Sequence, residues 1–242
     1  MFYPSLDRWL YLTLHEWRLM GVLERKVIER FVSPGMHVVD VGANIGLYSI
    51  LFSQRVGQSG KVTALEPVPE IRMSLEMSLE KNCIKNVTVL PFAAGATESS
   101  LPLALDPLNS GNNWAAMPGT ETNLSQISVP VRRLDTLGLS PTPDFVKIDV
   151  QGWEVQVLQG MSGLMEQKQR PIIFCEICEQ ALRMARSSTE SLAQTLLDYG
   201  YEIYLPRKEG TKLNLRPVTM ACLREQASKR HYFDIIAMAS KP

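Results

Sequence analysis

The sequence predicts an α/β protein built on one mostly parallel sheet with helices packed on both faces. Two observations carry this. Short apolar runs alternate with stretches of helical period along most of the chain, the pattern of successive βαβ units with right-handed crossovers. The runs themselves, such as DFVKID and PIIFCE, are nearly continuous in apolar residues, as strands covered on both faces require. With 242 residues, 45% of them hydrophobic and 21% charged, the chain is long enough and ordinary enough in composition for a single domain over 1–242.

The elements follow in order. Trp9, Leu10, Leu12, Leu14 and Trp17 mark an apolar helical segment. Met20, Leu23, Val27 and Phe31 share one face of a second helix, which Ser33-Pro34-Gly35 ends. Residues 1–33 thus form a helical N-terminal extension to a core over 34–242. In that core a strand over His37–Val41 leads to a helix from about Ile45 to Arg55. A second strand, Lys61–Glu66, leads to a helix through IRMSLEMSLEKN, where Met73 and Met77 read as core packing. Strands follow at Val87–Leu90, Phe145–Asp149 and Ile172–Glu176, with a helical stretch from Trp153 between the last two. A helix near Leu192–Tyr199 precedes a strand over Tyr201–Leu205, and the last strand is Phe233–Ala239. Two inserts, 97–135 and 206–232, break the alternation. The first has strand-like ends at Leu101–Leu105 and Ile127–Arg132. Such excursions are seldom neutral, and a lid or a surface loop are the two options.

Lys plus Arg equals Asp plus Glu at 25 each, a balance that argues against a general nucleic-acid binder. Arg132, Arg133, Lys229 and Arg230 read as solvated surface charge. The first twenty residues lack the order of a signal peptide, and no apolar run is long enough to span a membrane. The expectation is a cytoplasmic protein acting on a small molecule, with neither nucleic acid nor membrane as partner. Four cysteines in this length make no disulfide framework.

The stretch VVDVGANIGLYS at 38–49 carries the first functional signal. In open α/β sheets the ligand sits outside the carboxyl ends of the strands, where Asp40, Gly42, Ala43, Asn44 and Gly46 fall. Glycine there permits a sharp turn and a close approach. The dinucleotide fingerprint fails, because its second and third glycines would fall on Asn44 and Leu47, and no Gly-Lys-Ser/Thr makes a P-loop. Glu66, ahead of Pro67, ends the next strand, where a nucleotide-binding βαβ unit holds an acid against a ribose diol.

In these stretches the chain resembles the FkbM-type methyltransferases. The resemblance rests on VVDVGANIGLYS, TALEPVPE, RRLDTL and DFVKIDVQGWEVQVLQG, followed by a strand ending in FCEI, and covers most of residues 20–180. It implies a class I methyltransferase (Rossmann-like) fold: a seven-stranded, mostly parallel sheet with the last strand antiparallel. It implies S-adenosylmethionine as cofactor, with Asp40 through Gly46 around its methionine part. Glu66 and Pro67 would lie at the ribose, Phe92 and Ala93 beside the adenine, and Gln151 at the same edge. The reaction implied is methylation of a hydroxyl on a sugar or specialised metabolite. One departure stands out. The family pattern reads Asp-Val-Glu-Gly, whereas here it is Asp149-Val150-Gln151-Gly152. Gln151 is neither a base nor a good ligand for a hard metal; no residue is assigned as a metal ligand, and metal dependence is left open.

Methyl transfer to a hydroxyl needs alignment and a nearby base. Asp149 is the first choice, although Lys147 points to the same face and an ion pair would weaken it; Glu176 is second. Glu154 reads as a first-turn acid favoured by the helix dipole. His37 begins a strand and reads as structural; His15 and His231 are given no role. Cys175 and Cys178 fall on opposite faces of a strand, against a metal or redox pair. The region around Asn112, Asn113 and Trp114 suits recognition of a polyhydroxylated acceptor. Two rivals stand beside this reading. One is a protein that binds the cofactor without chemistry. The other is a nicotinamide oxidoreductase, whose Tyr204–Lys208 pair is interrupted by Pro206.

Overall fold

The computed structural model describes residues 22–117, 123–210 and 212–240. The helical segment expected at Trp9–Trp17, with His15 and Met20, lies outside them. In chain order the strands are β1 (His37–Val41), β2 (Lys61–Leu65), β3 (Val87–Leu90), β4 (Ala93–Ala94), β5 (Ser99–Leu105) and β6 (Trp114–Ala115). There follow β7 (Ser125–Arg132), β8 (Phe145–Ile148), β9 (Ile172–Ile177), β10 (Tyr201–Glu209), β11 (Lys212–Pro217) and β12 (Phe233–Ala239). The main sheet has eight strands in the order β11-β10-β12-β9-β8-β1-β2-β3, parallel from β3 to β9, with β12 antiparallel to both its neighbours.

Side chains alternate across this sheet, and both faces are buried. Val38, Phe145, Phe174 and Ile236 point to one side, where α1 (Val22–Phe31) and α2 (Leu47–Val56) cover them with Val27, Ile28, Phe52 and Val56. Val39, Val146, Ile173 and Ile235 point to the other. There α4 (Glu154–Gly160) and α7 (Thr189–Asp198) supply Val157, Leu158, Leu192 and Leu196. This two-sided burial is why the strands carry almost no polar residue except at one end.

The structure departs from the sequence reading in three places. The sheet gains an eighth strand, because the second insert folds β11 back on β10 through the pair Glu209↔Lys212. Pro206 is tolerated within β10 because β12 pairs only with Tyr201–Tyr204, so no hydrogen bond is lost on that side. The first insert is not an excursion but a second sheet, β4-β7-β5-β6. Its inner residues Leu101, Leu103, Val129 and Val131 pack on Ile45, Val68 and Ile71, while Ser100, Pro102, Ser128 and Pro130 face outward. Lastly, Met73 and Met77 are 58% and 40% exposed rather than core. The helix α3 (Pro69–Lys81) buries Ile71, Leu75 and Leu79, and a helix of 3.6 period offers one such stripe only.

Phe145 sits between the rings of Phe52 and Phe174, with centroid distances of 5.8 and 6.4 Å, and is fully buried. Phe145→Ala should therefore destabilise the fold by about 3–5 kcal/mol in urea unfolding. A loss below about 1 kcal/mol would contradict this account of the core.

Candidate active site

The carboxyl ends of β1, β2 and β8 converge on one edge of the sheet, beside a cavity of about 740 Å³ including its mouth. The loop after β1 crosses the end of β2, and the Gly42 and Ala43 N–H groups both donate to the Leu65 carbonyl, at 3.1 and 3.0 Å. Gly42 has a φ of +80°, and a Cβ there would fall 1.9 Å from the Asp149 carbonyl oxygen. Only glycine lets the two strand ends pass this closely. Asn44, also at positive φ, donates its N–H to Glu66 Oε2 at 2.9 Å, and the Val68 N–H donates to Oε1 at 2.9 Å. The Glu66 carboxylate is thereby held rigidly at the cavity wall. Burial pushes it up to about 7, against the pull of those two donors and of Arg72.

The facing wall is apolar: Val68, Ile71, Phe92, Ala93, Leu101 and Leu103, the last two from the insert sheet. Of the residues singled out in the sequence, Gly42, Asn44, Glu66, Pro67, Phe92, Ala93, Asp149 and Gln151 line the cavity. Asp40, Ala43 and Gly46 do not. Asp40 lies buried behind the loop and accepts from Ser49 Oγ at 2.6 Å, Ala43 is buried, and a Cβ on Gly46 would meet Leu75 Cδ1 at 2.3 Å. These three shape the turn instead. Adjacent residues of a tight loop cannot all face one ligand, and sequence position alone does not say which do.

Beside the cavity mouth lies a cluster of acids. Lys147 Nζ donates to Asp149 Oδ2 at 3.1 Å and sits 4.3 Å from the Tyr48 ring centroid. Gln151, at φ +49°, turns its side chain back so that Nε2 donates to Asp149 Oδ1 at 3.0 Å and to Glu176 Oε1 at 3.3 Å. Glu176 faces Asp234 across the β9–β12 pair. The Asp149 charge, then burial and Asp234, push Glu176 up to about 9; burial, then Glu24 and Asp149, push Asp234 up to about 8. Burial alone would lower Lys147, yet Asp149, Asp40 and Glu176 together raise it. Glu154 does more than favour a helix dipole. Its Oε1 accepts from the Gly152 N–H at 3.0 Å and from the Val150 N–H at 3.4 Å, locking the turn that aims Gln151.

The remaining candidates fall elsewhere. His37 is buried, its ring nitrogens 2.6 Å from the Pro141 carbonyl oxygen and 3.0 Å from Thr63 Oγ1, away from the cavity. Cys175 is buried and Cys178 half-buried. Tyr204 and Lys208 lie on β10 and do not line the cavity. Among the described residues no group of three His, Cys, Asp or Glu could hold a metal ion, and no helix is long and apolar enough to cross a membrane. Sequence reasoning missed Asp234, Trp153 and Ser110. Asp234 left a signal, as a charge inside the apolar strand FDIIAMA, whereas Ser110 reaches Asn44 Oδ1 at 3.3 Å only through the folded insert.

Glu66, Glu154, Glu176 and Asp234 all bind protons more tightly folded than unfolded. Their stabilising contribution is complete below about pH 4 and is lost as pH rises toward 9. The melting temperature of the ligand-free protein is expected to fall between pH 5 and 9. Glu66→Gln should flatten the part below 7, and Glu176→Gln the part nearest 9. A profile unchanged by either substitution would refute this electrostatic picture.

The model of the FkbM methyltransferase domain matches residues 40–203, about two thirds of the chain. Over 127 residues the chain is 29% identical to the hexuronic acid methyltransferase AglP of Haloferax volcanii, covering 52% of this chain and 50% of that one. Over 155 residues it is 27% identical to the methyltransferase sdnD of Sordaria araneosa, covering 51% and 60%. The chain thus spans about half the length of these curated relatives. A ribosomal protein L11 methylase from Lactobacillus delbrueckii subsp. bulgaricus superposes with a TM-score of 0.51 at 10% identity, over 93% of this chain and 79% of that one. This likeness shows the class I methyltransferase fold. The chain belongs to the FkbM methyltransferase family, whose cofactor is S-adenosylmethionine.

Proposed function

We propose that the protein transfers a methyl group to a hydroxyl of a polyhydroxylated small molecule. The observation that carries this reading is the adjacency of two things at one sheet edge. One is a cavity with a clamped acid and an apolar slot; the other is a pair of carboxyl groups, Asp149 and Glu176, bridged by the Gln151 amide.

The cavity's residues fit S-adenosylmethionine. Glu66, held by two backbone donors, would accept from the ribose hydroxyls; Phe92, Ala93 and Leu103 would enclose the adenine. The glycine turn at Gly42 admits the methionine part. The bound cofactor supplies an electrophilic methyl on a sulfonium. The chain's own part is to align the acceptor oxygen and to take its proton, so most of the rate enhancement would be positional.

Asp149 is the base in this reading, with Lys147 Nζ 3.1 Å from its Oδ2. Glu176, pushed up to about 9, stays protonated near neutrality and stands as a hydrogen-bonding neighbour rather than a second anion. Gln151 fits this arrangement better than a third carboxylate would. Its amide donates to both groups, which a glutamate carboxylate could not do. The acceptor hydroxyl would enter past Asn113 at the insert, and the hexuronic acid in the name of the Haloferax volcanii relative is an acceptor of this kind.

Calorimetric titration with S-adenosylhomocysteine is expected to show binding that weakens at least tenfold in Glu66→Ala, with no heat from NADH. Binding of NADH instead would overturn the cofactor assignment. With an identified acceptor, Asp149→Asn should lower kcat by roughly 10²–10⁴-fold while leaving S-adenosylhomocysteine affinity within about threefold. Full activity in that variant would remove Asp149 as the base.

A further inference from the structure

A trench continues from the active-site edge across the surface, and its lining changes character along its length. It begins at Gln151 and Gly111, which it shares with the cofactor cavity, and passes Glu176, Trp114 and Tyr232. Through Gln180, Met184 and His231 it merges with a second depression lined by Arg183, Arg230 and Glu179. The near end thus holds the hydroxyl-handling groups, the middle holds aromatic faces, and the far end holds cations.

Three features of this trench are unexplained by folding. Tyr232 is 59% exposed and stacks edge-on with His231 at 5.7 Å, so two rings stand open on the wall. Trp114 is only half-buried and lines the trench, and its indole N–H has no acceptor among the described residues. Arg230 makes no ion pair among the described residues, whereas its neighbours are committed. Arg183 pairs with Glu179 at 2.6 Å, and the other Glu179 oxygen accepts from the Thr189 N–H and hydroxyl at 2.9 and 2.7 Å. Glu179 and Arg183 cancel, Glu176 is held protonated near neutral pH, and the far end retains the single positive charge of Arg230.

We propose that this trench is the acceptor site and that it takes an anionic, polyhydroxylated molecule. The methylated hydroxyl lies at Gln151 and Glu176, the apolar face of a sugar ring rests on Trp114 and Tyr232, and a carboxylate or phosphate reaches Arg230. Aromatic rings suit the C–H face of a sugar, and a guanidinium suits the planar oxygens of a carboxylate or the tetrahedral ones of a phosphate. The inference rests on the methyltransferase reading above and adds to it the charge of the acceptor and the residue that reads it. It also reverses the expectation from sequence that Arg230 is plain surface charge.

The test is a set of titrations on the full chain saturated with S-adenosylhomocysteine, followed by saturation-transfer NMR. The probes are D-glucuronate, glucose 6-phosphate and D-glucose. At least one anion should bind ten times more tightly than glucose, and the better of the two identifies the anionic group. Arg230→Ala should abolish that preference and Arg230→Lys should keep most of it, with the glucose signal unmoved. Equal binding of all three probes, absence of binding by either anion, or a preference that survives Arg230→Ala would overturn the proposal. Because S-adenosylhomocysteine is titrated first, its failure to bind would strike the methyltransferase reading itself, and the two failures are told apart.

Discussion

The candidate active-site edge depends on one ammonium group. Asp40, Asp149, Glu176 and Asp234 project from neighbouring strands into a largely enclosed region, and among them stands Lys147, itself only 5% exposed at the side chain. Several carboxylates cannot all ionise in such surroundings with a single cation. The sheet resolves this by division. Lys147 donates to Asp149 and lies beside Asp40, while Glu176 and Asp234 keep their protons into the alkaline range. Removing the lysine would leave buried negative charge uncompensated, a far larger cost than the loss of one ion pair.

The arrangement around Gln151 follows from this charge balance. A residue at positive φ, set by the Glu154-capped turn and followed by Gly152, reaches back between two carboxyl groups. A neutral amide there donates to both and adds no charge to a region already short of cations. Gly152 contributes sterically, since a Cβ would fall 2.2 Å from the Ala181 carbonyl oxygen where the helix α6 (Glu179–Met184) passes. The motif residues are thus bound together by packing as much as by chemistry.

The insert sheet has a role that the main sheet cannot fill. An open parallel sheet offers a ligand only the ends of its strands, which leaves one side of the crevice bare. Strands β4–β7 close that side with Leu101 and Leu103, anchored on Ile45, Val68 and Ile71. The same insert brings Ser110 and Gly111 over Asn44 and sends Trp114 into the neighbouring trench. The cavity and the trench therefore share one wall, so a change in the insert would be felt at both.

Much of this was legible from residues alone. Continuous apolar runs fix strands covered on both faces, because alternate side chains then meet two cores. The glycine turn and the acid ending β2 mark the cavity edge, because backbone clearance and a carboxylate at a strand end are local features written in local residues. Tertiary structure decided the rest. It set Asp40, Ala43 and Gly46 behind the loop, turned Met73 and Met77 outward, and made a sheet of the first insert and a hairpin of the second. It alone joined Lys147, Glu176 and Asp234 in one charge cluster, and set the depression lined by Arg230 against the one lined by Trp114. Those relations span residues far apart in the chain, and their energies arise from burial and proximity, which no stretch of sequence carries by itself.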